Sequence, residues 1–226
     1  MNSNDEHFAM FEKFNNAIDS EPANAMHYAN RGDEYLRWHE ADKALKDHSK
    51  AVELAPDNAD FYIRRAKTYS FLNQQEKRLN DYNKAAEIDP DNPIIYSNRG
   101  DAYNQTSQYE EALKDFIKAI ELDPSNTWAH YQCGRVYNQL CLYAEAAEKY
   151  TQIINSDQKL LNPAYLYFDR AEIYKSLVQQ DKAEADFAKV MELSDDVTGQ
   201  SFRELWEGAD NSIENELMRI VSKYPV

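Results

Sequence analysis

Glycine and cysteine are both scarce in this chain, with five and two among 226 residues. So little glycine leaves no Gly-rich loop to cradle a phosphate, and no nucleophile elbow is spelled anywhere. His-Glu-x-x-His and Cys-x-x-Cys, signatures of zinc proteases and dithiol redox sites, are missing as well. Cys133 and Cys141 are too few for a disulfide framework, a usage that fits a reducing compartment. Basic residues also run short: 25 against 40 acidic ones, for a net charge of −15 and a pI near 4.7. Such a surface disfavours nucleic-acid phosphates and anionic membranes, while solubility and a preference for basic partners both follow from it. No apolar run approaches the roughly 18 residues of a membrane span. The start, MNSNDEHFAM, lacks the basic and apolar regions of a secretory leader, and the cytoplasm is the expected location. Asn104-Gln105-Thr106 spells a glycosylation triplet, which goes unused without export.

What the chain has in abundance is period. Pro22, Pro56, Pro90 and Pro124 stand 34 residues apart, a spacing that marks stacked repeats. In that register Tyr28, Tyr62 and Tyr96 coincide, as do Arg31, Arg65 and Arg99, then Gly32, Ala66 and Gly100, then Tyr35, Tyr69 and Tyr103. Ala51, Ala85 and Ala119 coincide shortly before the next proline. A fourth copy keeps Gly134, Tyr137, Ala146 and Tyr150 without the closing proline. A fifth recovers Arg170, Ala171, Tyr174, Ala183 and Phe187 after a slip of three residues.

These residues resemble the tetratricopeptide repeat: an aromatic and a small residue on a first helix, alanines and an aromatic on a second, and proline at the exit. The resemblance implies an all-α fold, a right-handed superhelical solenoid of antiparallel helix pairs with a C-terminal capping helix. Residues 1–21 then read as a half repeat resembling a second helix. Residues 22–194 hold five repeats (about 25–58, 59–92, 93–126, 127–163 and 164–197), and 195–226 form a helical cap. In the cap Phe202, Leu205, Trp206, Ala209, Ile213, Leu217, Ile220 and Val221 keep roughly a 3.6-residue rhythm. Such a helix suits the apolar face that a terminal repeat exposes.

Each column has a physical reason. Gly32, Ala66, Gly100, Gly134 and Ala171 are expected where the second helix crosses closest, faced by Ala44, Ala112, Ala146 and Ala183. Arg78 interrupts that second column, and its stem is expected along apolar surface with the guanidinium outside. Proline cannot continue a helix, so helices should end before Pro56, Pro90 and Pro124. Asn24, Asn58, Asn92 and Asn126 follow as caps for the next helix. Arg31, Arg65, Arg99 and Arg170 share one column, and Asp47, Asp81, Asp115 and Asp186 share another. In the fourth copy both change together, to Cys133 and Lys149. Joint change predicts internal ion pairs, which suit guanidinium and carboxylate geometry.

No catalytic, cofactor-binding or metal-ligating set stands out, and an enzyme is not expected. His130, Cys133 and Cys141 are the most metal-like group, yet their spacing fits no common zinc pattern, and core columns explain His130 and Cys133. His48 stands in an aromatic column and is expected as a packed histidine. The resemblance implies a ligand groove on the concave side, lined by first helices. Its candidate positions are Lys67, Phe71, Asp101, Asn104, Trp128, Tyr131, Arg135, Asn138, Tyr165, Phe168, Glu172 and Lys175. Met26, Ala29, Asp33, Arg37, Ile63 and Ser97 share those columns. Aromatic and arginine side chains favour the third to fifth repeats as the hot spot.

The best-known ligand mode of the family grips a terminal carboxylate with basic and amide side chains. Started at the first repeat, its places hold Ala29, Asp33, Arg64, Ile94 and Asn98. Started at the second they hold Ile63, Lys67, Asn98, Trp128 and Gln132, and at the third Ser97, Asp101, Gln132, Tyr165 and Asp169. No frame fits. The expectation is a non-enzymatic scaffold or adaptor without cofactor, monomeric or weakly dimeric. Its partner would be a basic or aromatic-rich protein or peptide, not nucleic acid or membrane. The alternatives are a self-assembling structural protein that pairs through its terminal helices, and a regulatory subunit of a separate enzyme.

Overall fold

The computed structural model describes residues 3–156, 163–194, 201–203, 205 and 206, with side chains from residue 10 onward. Among them run α1 (Ser3–Ser20), α2 (Ala25–Arg37), α3 (Ala41–Leu54), α4 (Ala59–Phe71), α5 (Gln75–Ile88) and α6 (Pro93–Gln105). Then follow α7 (Tyr109–Leu122), α8 (Thr127–Gln139), α9 (Tyr143–Ile154), α10 (Pro163–Ser176) and α11 (Gln180–Leu193). No strand occurs among the described residues, and no helix of theirs is long and apolar enough to cross a membrane. The chain divides into two compact units, Met1–Ala129 and His130–Val226. Residues 201–203, 205 and 206 are helical; Ala209 to Val221 of the expected cap lie outside the described residues.

Proline and asparagine build the turns between hairpins. The helices α3, α5 and α7 stop two residues before Pro56, Pro90 and Pro124. Asn24, Asn58 and Asn92 then accept from the amides of Met26, Asp60 and Ile94 at 3.1, 3.0 and 3.1 Å. Asn126 caps α8 through Ala129 at 2.9 Å. Each cap satisfies an amide that the first helical turn leaves open. Tyr28, Tyr62 and Tyr96 lock the same turns by donating to the carbonyls of Pro22, Pro56 and Pro90 at 3.2, 3.1 and 2.9 Å.

The turns inside the hairpins work differently. His39, Asn73, Ser107, Cys141 and Val178 all have φ between 55° and 58°. The residue after each returns its N–H to the carbonyl of Tyr35, Tyr69, Tyr103, Tyr137 or Tyr174, at 2.8 or 2.9 Å. This is a left-handed helix closure that ordinarily selects glycine, and none of the five is glycine.

The close crossing of the hairpins needs one amendment to the sequence reading. Ala44, Ala112, Ala146 and Ala183 are fully buried, but what presses on the glycines is the ring column beside them. A Cβ at Gly32 would stand 2.6 Å from the His48 ring, at Gly134 2.8 Å from Tyr150, and at Gly100 3.0 Å from Phe116. Only at Gly100 does the alanine column come near, through the Ala112 carbonyl at 3.2 Å. The first helix therefore gives up its side chain so that a ring on the second can lie flat against it.

Candidate functional site

Arginine and aspartate from the two periodic columns meet in four hairpins. Nε and Nη2 of Arg31 donate to Asp47 at 2.6 and 2.8 Å, and Arg65 reaches Asp81 at 2.8 and 2.7 Å. Arg99 reaches Asp115 and Arg170 reaches Asp186, with all four bonds at 2.7 Å. These are two-pronged pairs, the strong geometry for this couple. The carboxylates are buried, so removal of one partner would strand a charge.

A third nitrogen does a job the columns did not announce. Nη1 of Arg31 donates to Asn15 of α1 at 2.7 Å, Nη1 of Arg99 to Asn83 of α5 at 2.9 Å, and Nη1 of Arg170 to Thr151 of α9 at 2.8 Å. Each arginine thus ties its own hairpin together and pins it to the preceding helix. α1 stands to α2 as α5 stands to α6. The signal was present in the sequence: Asn15 and Asn83 precede their arginines by the same 16 residues.

Arg78 contradicts its sequence reading. Its side chain is 5% exposed, and the guanidinium points inward. It donates to Asp101 at 2.9 Å and to Gln105 at 2.7 Å, above the Tyr82 ring. A guanidinium needs several acceptors before burial is tolerable, and α6 supplies them. His48 is the packed residue its column suggested, with no exposure. Its Nδ1 lies 2.7 Å from the Thr68 hydroxyl, and Nε2 lies 3.2 Å from both the Ala29 carbonyl and Asp33. Asp33 is also held by Arg64, which reaches Asp60 at 2.6 Å. Burial pushes the Asp33 carboxyl up, but His48 and Arg64 outweigh it and hold it below its usual value.

The groove candidates of the first unit separate into three groups. Ala29, Ile63 and Ser97 are buried and line nothing. Asp101 serves Arg78 and Gln105, and Asn104 is half-buried. Lys67 and Phe71 are exposed, Phe71 by 60%. Met26, Ile94 and Trp128 occupy one place on three first helices, with exposures of 41%, 55% and 53%. Ile94 was not among the candidates, because an apolar residue in a helix reads as core until its exposure is known.

In the second unit two candidates are already engaged by the chain itself. Phe168 packs on Phe202, with centroids 5.0 Å apart, and the Lys175 ammonium sits 3.8 Å above the Trp206 ring and donates to the Trp206 carbonyl. Lys175 also lies 3.6 Å from Glu172, and Trp206 stacks on Phe187 at 4.5 Å. Tyr165 meets Phe202 edge-on at 5.0 Å but remains 51% exposed. Tyr131 donates to Asp169 at 3.0 Å, and Arg135 and Asn138 are exposed. Asp169 had figured only as a failed place in the carboxylate-gripping pattern. Cys133 is buried, which pushes its thiol up to about 11, while Cys141 is exposed. The described residues contain no group of three or more potential metal ligands.

Two family models match the sequence, "TPR repeat" over residues 72–107 and 100–140 and "Tetratricopeptide repeat" over residues 164–197. The chain is a tetratricopeptide-repeat protein. Its repeats also match solved structures of the same fold. A MamA protein is 22% identical over 74% of this chain and 90% of its own, with a TM-score of 0.66. YrrB, described as a tetratricopeptide-repeat protein with an unusual peptide-binding site, is 20% identical over 84% and 97%, with a TM-score of 0.67. The first repeat domain of Spaghetti (RPAP3), bound to the HSP90 peptide SRMEEVD, is 26% identical over 52% and 93%, with a TM-score of 0.50. No curated protein matches this tetratricopeptide-repeat sequence.

Proposed function

We propose that this chain is a non-enzymatic adaptor that binds a protein or peptide segment on the exposed faces of its first helices. The observation that carries the reading is the return of half-exposed apolar side chains to one helical place in the first, third and fourth repeats, Met26, Ile94 and Trp128, with Asp60 at that place in the second. Single exposed apolar residues are ordinary. Three of them at one place of the repeat, among polar neighbours, are the composition of a contact surface. YrrB is described with a peptide-binding site and the Spaghetti domain with a bound peptide, which supports the same use of the fold here. A carboxylate-ended ligand such as SRMEEVD does not suit this chain. Asp33 and Asp101 stand where that mode requires an amide and each already holds an arginine, while its cation places hold Ala29, Ile94 and Asn98 in one frame and Ser97, Tyr165 and Asp169 in another. With a net charge of −15, the partner is basic.

The test compares capture of partners by the wild type, Ile94→Asp and Trp128→Ala. Loss of the same partner from both variants, with helicity unchanged by circular dichroism, is the expected result. Capture that survives both substitutions would end this reading. Light scattering over a concentration series separates it from self-assembly, which predicts a dimer abolished by deletion of residues 1–21 or 199–226.

A further inference from the structure

We infer that Asp169 and Tyr131 form a receptor for one basic side chain, a lysine or arginine, of the partner segment. This rests on the peptide-binding reading above and names what that segment must carry.

Asp169 lies on α10 and is half-buried. It accepts a bond from the Tyr131 hydroxyl of α8 at 3.0 Å, and among the described residues it has no ion-pair partner. The contrast within the chain is sharp. Asp33, Asp47, Asp81, Asp101, Asp115 and Asp186 each hold an arginine. Arg170, next in sequence to Asp169, is turned toward Asp186 and Thr151 instead. Arg135 acts on Asp169 through its charge but stays beyond ion-pair distance. It lies 5.9 Å from the Tyr131 centroid and makes a long contact, 3.4 Å, to Gln132. The corresponding residues of the other four repeats are Asn30, Arg64, Asn98 and Gln132, so this carboxylate belongs to the fifth copy alone.

A carboxylate taken partly out of water with one neutral donor is under-compensated. Desolvation raises the Asp169 pKa against the opposing pull of Tyr131 and Arg135. Beneath it Tyr131 packs on the buried Tyr150, ring centroids 5.9 Å apart, which fixes the hydroxyl in place. A partner ammonium or guanidinium would supply the missing charge through a charge-assisted bond, with tyrosine rings for its apolar stem or its cation. Arg135 is exposed, so its repulsion is screened by solvent and salt. It also disfavours a second cation beside the first, which limits the receptor to one.

The experiment is an amide chemical-shift titration of the full chain with N-acetyl-arginine amide, and with N-acetyl-citrulline amide as the uncharged isostere. Localised shifts at Tyr131 and Asp169 with the arginine compound, at least about tenfold weaker with citrulline, are expected. Asp169→Asn, checked for fold by circular dichroism, abolishes them, and wild-type binding weakens as the pH falls through the Asp169 titration. Equal binding of citrulline, shifts unaffected by Asp169→Asn, or no localised shifts would each overturn the inference. If the Trp128 and Ile94 variants still lose the partner in that case, the adaptor reading stands and only this receptor fails.

Discussion

Arg78 donates to Asp101 at 2.9 Å, with its guanidinium buried where four other hairpins carry alanine. Those alanines let two helices approach; Arg78 instead fills the space and reaches into the next hairpin. Arg78→Ala should destabilise by about 1–3 kcal/mol, because Asp101 and Gln105 lose their buried donor. Asp101 keeps some solvent access, so Arg78→Ala with Asp101→Asn should cost less than Arg78→Ala alone. Denaturant midpoints of the cycle measure this, and strict additivity would show that the pair does not couple.

The columns that meet in α4 and α5 allow a substitution copied from the chain itself. Arg65→Cys strands Asp81 and should cost about 3–5 kcal/mol. Adding Asp81→Lys reproduces the Cys133 and Lys149 combination of the fourth copy and should recover much of that loss. A double variant less stable than Arg65→Cys would refute the argument from joint change.

Glycine-to-alanine substitutions should rank by the distance to the facing ring. Overpacking costs about 1–3 kcal/mol, and the gain in helix propensity returns about 1 kcal/mol. Gly32→Ala, with 2.6 Å to His48, should therefore be clearly destabilising, Gly134→Ala less so, and Gly100→Ala, at 3.0 Å from Phe116, the mildest. Ala66 and Ala171 fill the same column opposite Tyr82 and Phe187, so the penalty is one of local fit. Thermal melts of the three variants decide the order.

Val178 is β-branched, 89% exposed and held at φ 57°. Left-handed backbone costs such a residue roughly 1–2 kcal/mol. Val178→Gly should raise the free energy of unfolding by about 1 kcal/mol, seen as a higher midpoint, and Val178→Asn by a smaller amount. An unchanged or lowered midpoint would mean that the turn does not hold this conformation.

Asp169 gives stability a pH dependence of definite sign. Its folded pKa is raised above the usual 3.8 by desolvation, so the folded chain keeps this proton to higher pH than the unfolded chain does. Its contribution is most favourable below the unfolded pKa and is lost as pH rises through the folded one. Asp169→Asn removes that loss. Its midpoint should exceed the wild type at neutral pH, and the gap should close on acidification below the ordinary aspartate range. A gap that widens toward low pH would reverse the assignment.

Period, caps and ion-pair columns were legible because each is a short-range relation that repeats. A proline, an asparagine two residues later and an arginine 16 residues before an aspartate state their geometry in sequence distance alone. The Asn15 and Asn83 bridges obeyed the same spacing and were missed for want of a charge to draw attention to them. The left-handed closures were illegible for another reason. His39, Asn73, Ser107, Cys141 and Val178 share no chemistry, and the conformation is imposed by the packed helices on either side.

The sequence by itself determined the architecture: how many helices pair, where they turn, and which columns face inward. Backbone hydrogen bonding and a 34-residue register leave little freedom there. Only the tertiary structure decided which columns remain open to a partner. Phe168 and Lys175 have the look of groove residues until Phe202 and Trp206 come to lie on them, and Arg78 until Asp101 draws it inside. Exposure is set by what arrives from elsewhere in the chain. A side chain's type and spacing do not carry that information, and for this reason Asp169, a failed place in one pattern, stands in the fold as a half-buried carboxylate held by the Tyr131 hydroxyl.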